Sequence, residues 1–438
     1  MPLRRLLVTG ILMELCYLSF YALKEGPEDV LVFIAVNVTT YLLLTFLVWP
    51  VRSSLFGPAG EGGVGLVVAF GVLFRLTLLP HPVVGSDDIY RYLWDGRVAA
   101  SGVNPFSFLP TDPFLSHLAT GDLPSKVNHP ELRSIYPPLA QAFFWFSNRL
   151  FGESAAGLKF LLVVIDCATM VLLRTMLILR GRSTMPLVLY AWSPLPILYF
   201  GLDGHIDALG ILFLILSLLF FGTSRPVRGS LALGFSVLAK LYPLLVVPSL
   251  LRLDKGLRGL RLAALPVVML ALGYLLYVGP MGGAVESLRT FGARWEFNGG
   301  IFSLIHLLVG SNEAAHLVCG IMTTICIVAL AILKRPFMEK VFWGFVVVIL
   351  LSPVVHPWYL TWLAALLVVR WSTAVYLFLG LSAITNVVVY QYRAYGQWND
   401  QPLLLIIEYV PVAILLVREI VRHDVLRPTD VSPGNFPT

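Results

Sequence analysis

The sequence predicts an all-α, polytopic membrane protein: about twelve transmembrane helices in one bundle, with a re-entrant hairpin and amphipathic helices on its outer face. Three observations predict it. Only 13% of the 438 residues are charged, against about 25% in a soluble globular chain. Mean hydropathy is +0.82. The apolar residues also fall in runs near the length that crosses a bilayer, about 20 residues. A soluble class is excluded, and a single bundle over 1–438 replaces a domain count taken from length. The net charge of +6 would suit nucleic acid if the basic residues formed a stripe. They sit between apolar runs instead, as residues of cytoplasmic loops do, so the bilayer is the expected partner and nucleic acid is not.

Read in order, MPLRR precedes an apolar run from Leu6 with no small-x-small cleavage site after it, which predicts an uncleaved first helix. Expected spans are 6–23, 30–50, 63–80, 155–178, 185–200, 206–222, 261–280, 314–333, 341–355, 357–370, 373–390 and 402–418. With the N-terminus inside, the inner loops collect most of the Lys and Arg, among them Arg4, Arg52, Arg182, Arg225, Lys255, Arg335, Arg370 and Arg427. Both termini are then cytoplasmic. The four cysteines, Cys16, Cys167, Cys319 and Cys326, lie in apolar runs and read as free thiols.

That orientation requires 229–251 not to cross. Arg228 precedes it, and Arg252, Lys255 and Arg258 follow, so both ends favour the inside. A re-entrant hairpin turning near Lys240–Pro243 removes the conflict; backbone broken at that depth must be buried in protein or line a wet cavity. The other reading is one ordinary span that violates the charge rule.

Three polar segments remain: 81–154, 281–313 and 391–401. The first is too long for a plain connector and is the expected catalytic loop; the second is a further outer loop. SDDIYRYLWDGRVAASG reads as a helix capped by Ser86 or Asp87 and ended by Gly102. Ile89, Tyr92, Leu93 and Ala100 fall on one side. Asp87, Arg91 and Asp95 fall on another, as a polar face turned upward from the membrane surface. A second helix follows Pro137-Pro138, with Leu139, Phe143, Phe146 and Leu150 as its apolar stripe. No internal repeat is visible.

The chemistry-bearing residues cluster in these segments. Asp87 and Asp88 stand at a helix start just after a span. A carboxylate there can take a proton from an acceptor hydroxyl, or it can simply cap the helix. Arg91 either fixes that carboxylate or belongs to an Asp87–Arg91–Asp95 ladder on a solvated face. Arg75, inside a span, either snorkels or meets a lipid phosphate. Lys240, at the hairpin tip, suits a phosphate or snorkels inward. Asp203, His205 and Asp207 in GLDGHIDAL have a spacing that could bind metal. A set with no cysteine and no second cluster points rather to a cap by Asp203 and a polar contact to sugar or phosphate by His205. His356, Trp358 and Tyr359 in SPVVHPWYLTW, and Arg393 in YQYRAYGQWND, suit sugar stacking or an ordinary interfacial belt.

Taken in order, SDDIYRYLWDGRV, GVNPF, YPPLAQ, GLDGHIDAL, LAKLYP and HPWYLTW resemble the GT-C superfamily of integral-membrane glycosyltransferases over about residues 80–365. Within it, the chain looks most like polyprenyl-phosphate-mannose-dependent mannosyltransferases. The resemblance implies a sugar donor on polyprenyl phosphate, inversion at the anomeric carbon, and a general-base Asp in the first large outer loop. That base maps onto Asp87, with Asp88 the close alternative. Tyr92 and Tyr136 join the substrate-binding candidates with Arg75, Arg91, Asp95, His205, Asp207, Lys240, His356, Trp358, Tyr359 and Arg393.

The expected function is therefore transfer of a hexose, mannose first, from polyprenyl phosphate to a glycan or glycolipid acceptor. It would occur at the extracytoplasmic face of the plasma membrane in cell-envelope synthesis, without metal or other cofactor. The rival is a transporter or flippase of polar lipids, which would place its ionisable residues near the midplane of interrupted helices.

Overall fold

A computed structural model describes residues 2–22, 26–57, 62–254, 256–277, 282–399 and 401–422. Lys255 and the C-terminal tail with Arg427, both assigned to the cytoplasm above, lie outside the described residues. Regular structure among the described residues is helical throughout, with isolated bridges only between Phe297–Asn298 and Val354.

Among the described residues six helical segments are long and apolar enough to cross a membrane: Leu3–Ala22, Glu28–Leu55, Ala155–Leu179, Leu257–Leu275, Asn312–Ile332 and Thr373–Tyr395. Met185–Ala191 and Pro194–Leu202 make a seventh if counted as one span bent by 42°. The bend falls where the Pro194 ring would meet the Tyr190 carbonyl of a continuous helix. Five of the twelve expected spans are thus not among the long apolar helices. Val64–Leu78, Asp207–Gly222, Phe337–Leu351 and Pro357–Leu367 are shorter; 15 residues reach about 22 Å, against a hydrocarbon core of about 30 Å. Pro402–Arg422 is long but carries Glu408, Arg418 and Glu419.

The centre of the bundle is the antiparallel pair Asp207–Gly222 and Pro226–Ala239. Small residues let the two backbones approach: the Ser236 hydroxyl donates to the Gly210 carbonyl at 2.7 Å, and Ser217 to Gly229 at 2.8 Å. Pro226–Ala239 ends at Lys240, whose backbone is extended. Pro243 forbids continuation, because its ring would strike the Ala239 carbonyl. A short 3-10 turn over Tyr242–Val246 and the helical turn Val247–Leu250 then lead back. Leu257–Leu275 runs parallel to Pro226–Ala239, with Ser230 beside Leu262 and Leu238 beside Gly273. Arg225, Arg228 and Arg258 line one cleft, so the chain starts and finishes this excursion at the same end of the molecule. Lys240 marks the opposite end.

In segment 81–154, Asp88–Ala100 and Pro138–Phe151 are the two helices expected, with Gly102 in the left-handed region (φ 83°) closing the first. Their faces differ from the expectation. Arg91 and Asp95 are buried, not solvated. Segment 128–134 lies over them: Arg91 donates to the Leu132 carbonyl at 2.9 Å and to Asp95 at 3.0 Å, while Ser134 and Gln141 both donate to Asp95. On the second helix, Ala140, Phe143, Phe144 and Ser147 face inward, whereas Phe146 and Leu150 of the expected stripe are exposed. Gly96 sets this packing, since a Cβ there would lie 2.6 Å from the Phe144 carbonyl oxygen.

Candidate functional site

A polar cluster forms where the Lys240 tip, the start of helix Asp88–Ala100 and the GLDGHIDAL turn converge. Asp87 occupies the cap position, but its side chain does not cap; the Ser86 hydroxyl accepts the Asp88 N–H at 3.3 Å. The capping reading therefore does not account for the acids. Asp87 is exposed, while the Asp88 side chain is 21% exposed and points into the cluster. One amide bridges the two: Asn128 Nδ2 donates to Asp88 Oδ1 at 2.8 Å and to Asp87 Oδ1 at 3.1 Å. Asp88 Oδ2 lies 3.5 Å from the Tyr136 hydroxyl and 3.7 Å from His205 Nδ1. Burial, and then the charge of Asp87, raise the Asp88 pKa above the usual aspartate value; Lys240, Asn128 and His129 oppose the rise.

The three polar residues of GLDGHIDAL do three separate jobs. Asp203 is buried and accepts the backbone N–H groups of Val84 and Gly85, at 2.8 and 3.1 Å, which holds the strand of chain leading into Asp87 and Asp88. Its carboxyl is pushed up to about 7 by burial, against those two hydrogen bonds. His205 faces Asp88. Asp207 accepts from Trp362 Nε1 at 2.8 Å and from Lys240 Nζ at 3.3 Å. Among the described residues no group of three His, Cys, Asp or Glu is gathered as metal ligands. These three side chains diverge instead of sharing a centre.

Lys240 Nζ sits 5.7 Å from the Tyr136 ring centroid and 5.6 Å from that of Tyr359, within cation–π range. Tyr136 thus touches both the carboxylate and the ammonium. Aromatic rings wall the other side. Phe297 stacks on His356 at 4.5 Å, His356 on Trp358 at 4.1 Å, and Trp358 on His205 at 4.1 Å. Buried in this wall, His356 has its pKa lowered to about 3, by desolvation and then by the Lys240 and His129 charges.

Several expected site residues lie elsewhere. Arg75 neither snorkels nor reaches a headgroup: it is fully buried, paired with Asp166 of the neighbouring helix, and donates to the Gly71 and Ala191 carbonyls at 2.7 and 2.8 Å. Arg91 and Asp95 are committed to the internal network under 128–134. Tyr92 is behind Tyr136, stacked on Phe144 at 4.6 Å. Arg393 is exposed, and its charge reaches Asp203. Sequence reasoning missed Asn128, whose sequence context carries no signal, and Trp362, which stands in the HPWYLTW motif but was given no role of its own. It also took Asp203 for a cap. No protein-family profile, no curated protein and no solved structure matches this chain.

Proposed function

We propose that this protein is an inverting glycosyltransferase of the membrane, moving a hexose from polyprenyl phosphate to a glycan or glycolipid hydroxyl. The observation that carries the reading is the convergence of a carboxylate, Asp88, and an ammonium, Lys240, on the Tyr136 side chain beside a wall of aromatic rings, at the end of an apolar bundle. In this reading Asp88, rather than the exposed Asp87, is the general base. The acceptor oxygen attacks the anomeric carbon while its proton passes to Asp88. The bond from that carbon to the phosphate oxygen breaks, and its electron pair leaves with the lipid phosphate. Lys240 meets the growing negative charge, where a cation contributes most. His356, Trp358 and Tyr359 offer ring faces for the sugar, and the isoprenoid tail lies among lipid-facing helices.

The Lys and Arg distribution supports cytoplasmic termini and an extracytoplasmic position of the polar cluster, in the plasma membrane. Mannose as the sugar rests on the motif resemblance alone. The interrupted helices at Ser193 and Lys240 favour a second reading, a polar-lipid transporter, because such breaks line transport sites. Purified protein in detergent, given radiolabelled polyprenyl-phosphate mannose and octyl α-mannoside, distinguishes the two. A labelled disaccharide is expected; a transporter forms none. Polyprenyl-phosphate glucose run in parallel identifies the sugar.

A further inference from the structure

Within that reading, one residue is left without a role. His205 is fully buried, yet both of its ring nitrogens lack a hydrogen-bond partner. An orphaned buried polar group is costly, so it calls for a partner that arrives or a role that offsets the cost. The ring cannot turn freely, because Trp358 stacks on it at 4.1 Å and 22° and Tyr199 meets its edge. That stacking aims Nδ1 at Asp88 Oδ2, 3.7 Å away and just outside hydrogen-bond reach.

We propose that His205 is the positioning residue of the base: its Nδ1–H closes onto Asp88 Oδ2 when the acceptor hydroxyl displaces Asn128 from the carboxylate, and holds Oδ1 toward the incoming proton. Asn128 now holds Oδ1, the oxygen that must be freed. Once it is freed, the carboxylate loses its shortest hydrogen bond; at Oδ2 on the opposite side stand the Tyr136 hydroxyl, already a partner at 3.5 Å, and His205, not yet bonded at 3.7 Å. The ring is suited to this because it stays neutral. Burial, then the positive charge of Lys240 and the neighbouring His356, hold its pKa well below the usual histidine value. A neutral imidazole has one N–H; placed on Nδ1, it serves Asp88 and leaves the Nε2 lone pair free. The groups facing Asp88 are Asp87 on its own helix, Asn128 and His129 from the loop, Tyr136, Lys240 and His205. Among them only His205 is a buried donor with no bond of its own.

The proposal rests on the transferase reading for its consequence but not for its first test. Imidazole ¹⁵N spectra of the full-length protein in nanodiscs, with the His205 signals assigned by difference against His205→Gln, should show the Nδ1–H tautomer. Asp88→Ala should abolish that preference. An Nε2–H tautomer in the wild-type protein would overturn the proposal, whatever the protein catalyses. The second test uses the transfer assay. His205→Asn puts an amide N–H where Nδ1 stood, and His205→Gln puts it where Nε2 stood. Losing a hydrogen bond to a charged group should lower kcat/KM about ten- to hundred-fold and move its acid limb up by about one pH unit. The move is upward because the unsupported carboxylate binds its proton more tightly. His205→Gln should show both changes, and His205→Asn should keep the wild-type limb. Equal acid limbs in both variants and wild type would make His205 a packing residue. A wild-type protein with no transfer at all would sink the transferase reading while leaving the tautomer result to decide on His205.

Discussion

Asp87 and Asp88 share a helix start and an asparagine, yet their surroundings differ. Adjacent helix residues point about 100° apart, so only Asp88 turns toward Lys240, Tyr136 and His205 while Asp87 stays in solvent. Residue identity at this site was legible: acids, a lysine and aromatics stood out in the sequence. Their partners were not, because Asn128 and Trp362 carry no charge or spacing signal of their own. Asp203 has a measurable consequence. Its folded-state pKa, about 7, lies above its unfolded value of about 3.9. Between those values the folded protein binds the extra proton, so stability falls as pH rises from about 4 to 7. Asp88, raised in the same direction, adds to the trend. Asp203→Asn keeps an oxygen for the Val84 and Gly85 N–H groups and cannot ionise. Thermal unfolding in detergent across pH 4–7 should therefore decline less steeply in this variant; an unchanged slope would mean Asp203 does not titrate there.

At the scale of elements, helices and their interruptions followed from local sequence. Pro194 and Pro243 break helices for steric reasons that act within four residues, and Gly102 closes a helix through its left-handed backbone. Contacts between elements were harder to read, since periodicity reports which face is buried and not which neighbour covers it. Arg75 was visible as a charge in an apolar run and so was Asp166, but nothing in the sequence linked positions so far apart. Their pair joins Val64–Leu78 to Ala155–Leu179, and Tyr190 adds a third member by donating to Asp166. Removing one partner of a buried pair costs about 3–5 kcal/mol, because the other charge is left buried and alone. Arg75→Met should therefore melt well below wild type, and Arg75→Met with Asp166→Leu should recover much of the loss. A double variant no more stable than the single would show that the pair is not the cause.

For the whole molecule, the helical class and helices long and apolar enough to cross a membrane followed from composition. The span count did not, because a short apolar helix buried in protein has the same composition as one facing lipid. Thr361–Leu367 is buried at every residue, so its apolar character is accounted for by packing against other helices. Such a segment fits a core element as well as a span. The return of the chain at Lys240 bears on topology, since it puts Arg225, Arg228 and Arg258 at one end and the Asp88 cluster at the other. A cysteine introduced at Ser116, which is exposed, should react with an impermeant thiol reagent added outside intact cells, and one at Gly256 should not. Outside labelling at Gly256 would overturn the proposed orientation.

The central claim, a lipid-linked sugar transferase with Asp88 as its base, is tested most directly by the rate of label transfer in two isosteric variants. A general base contributes about 10²–10⁴ in rate. Asp88→Asn should lose about that factor while still inserted and folded, and Asp87→Asn should stay within a few-fold of wild type. Transfer that survives in Asp88→Asn and is abolished in Asp87→Asn would move the base to the exposed acid, and transfer that survives in both would contradict the account.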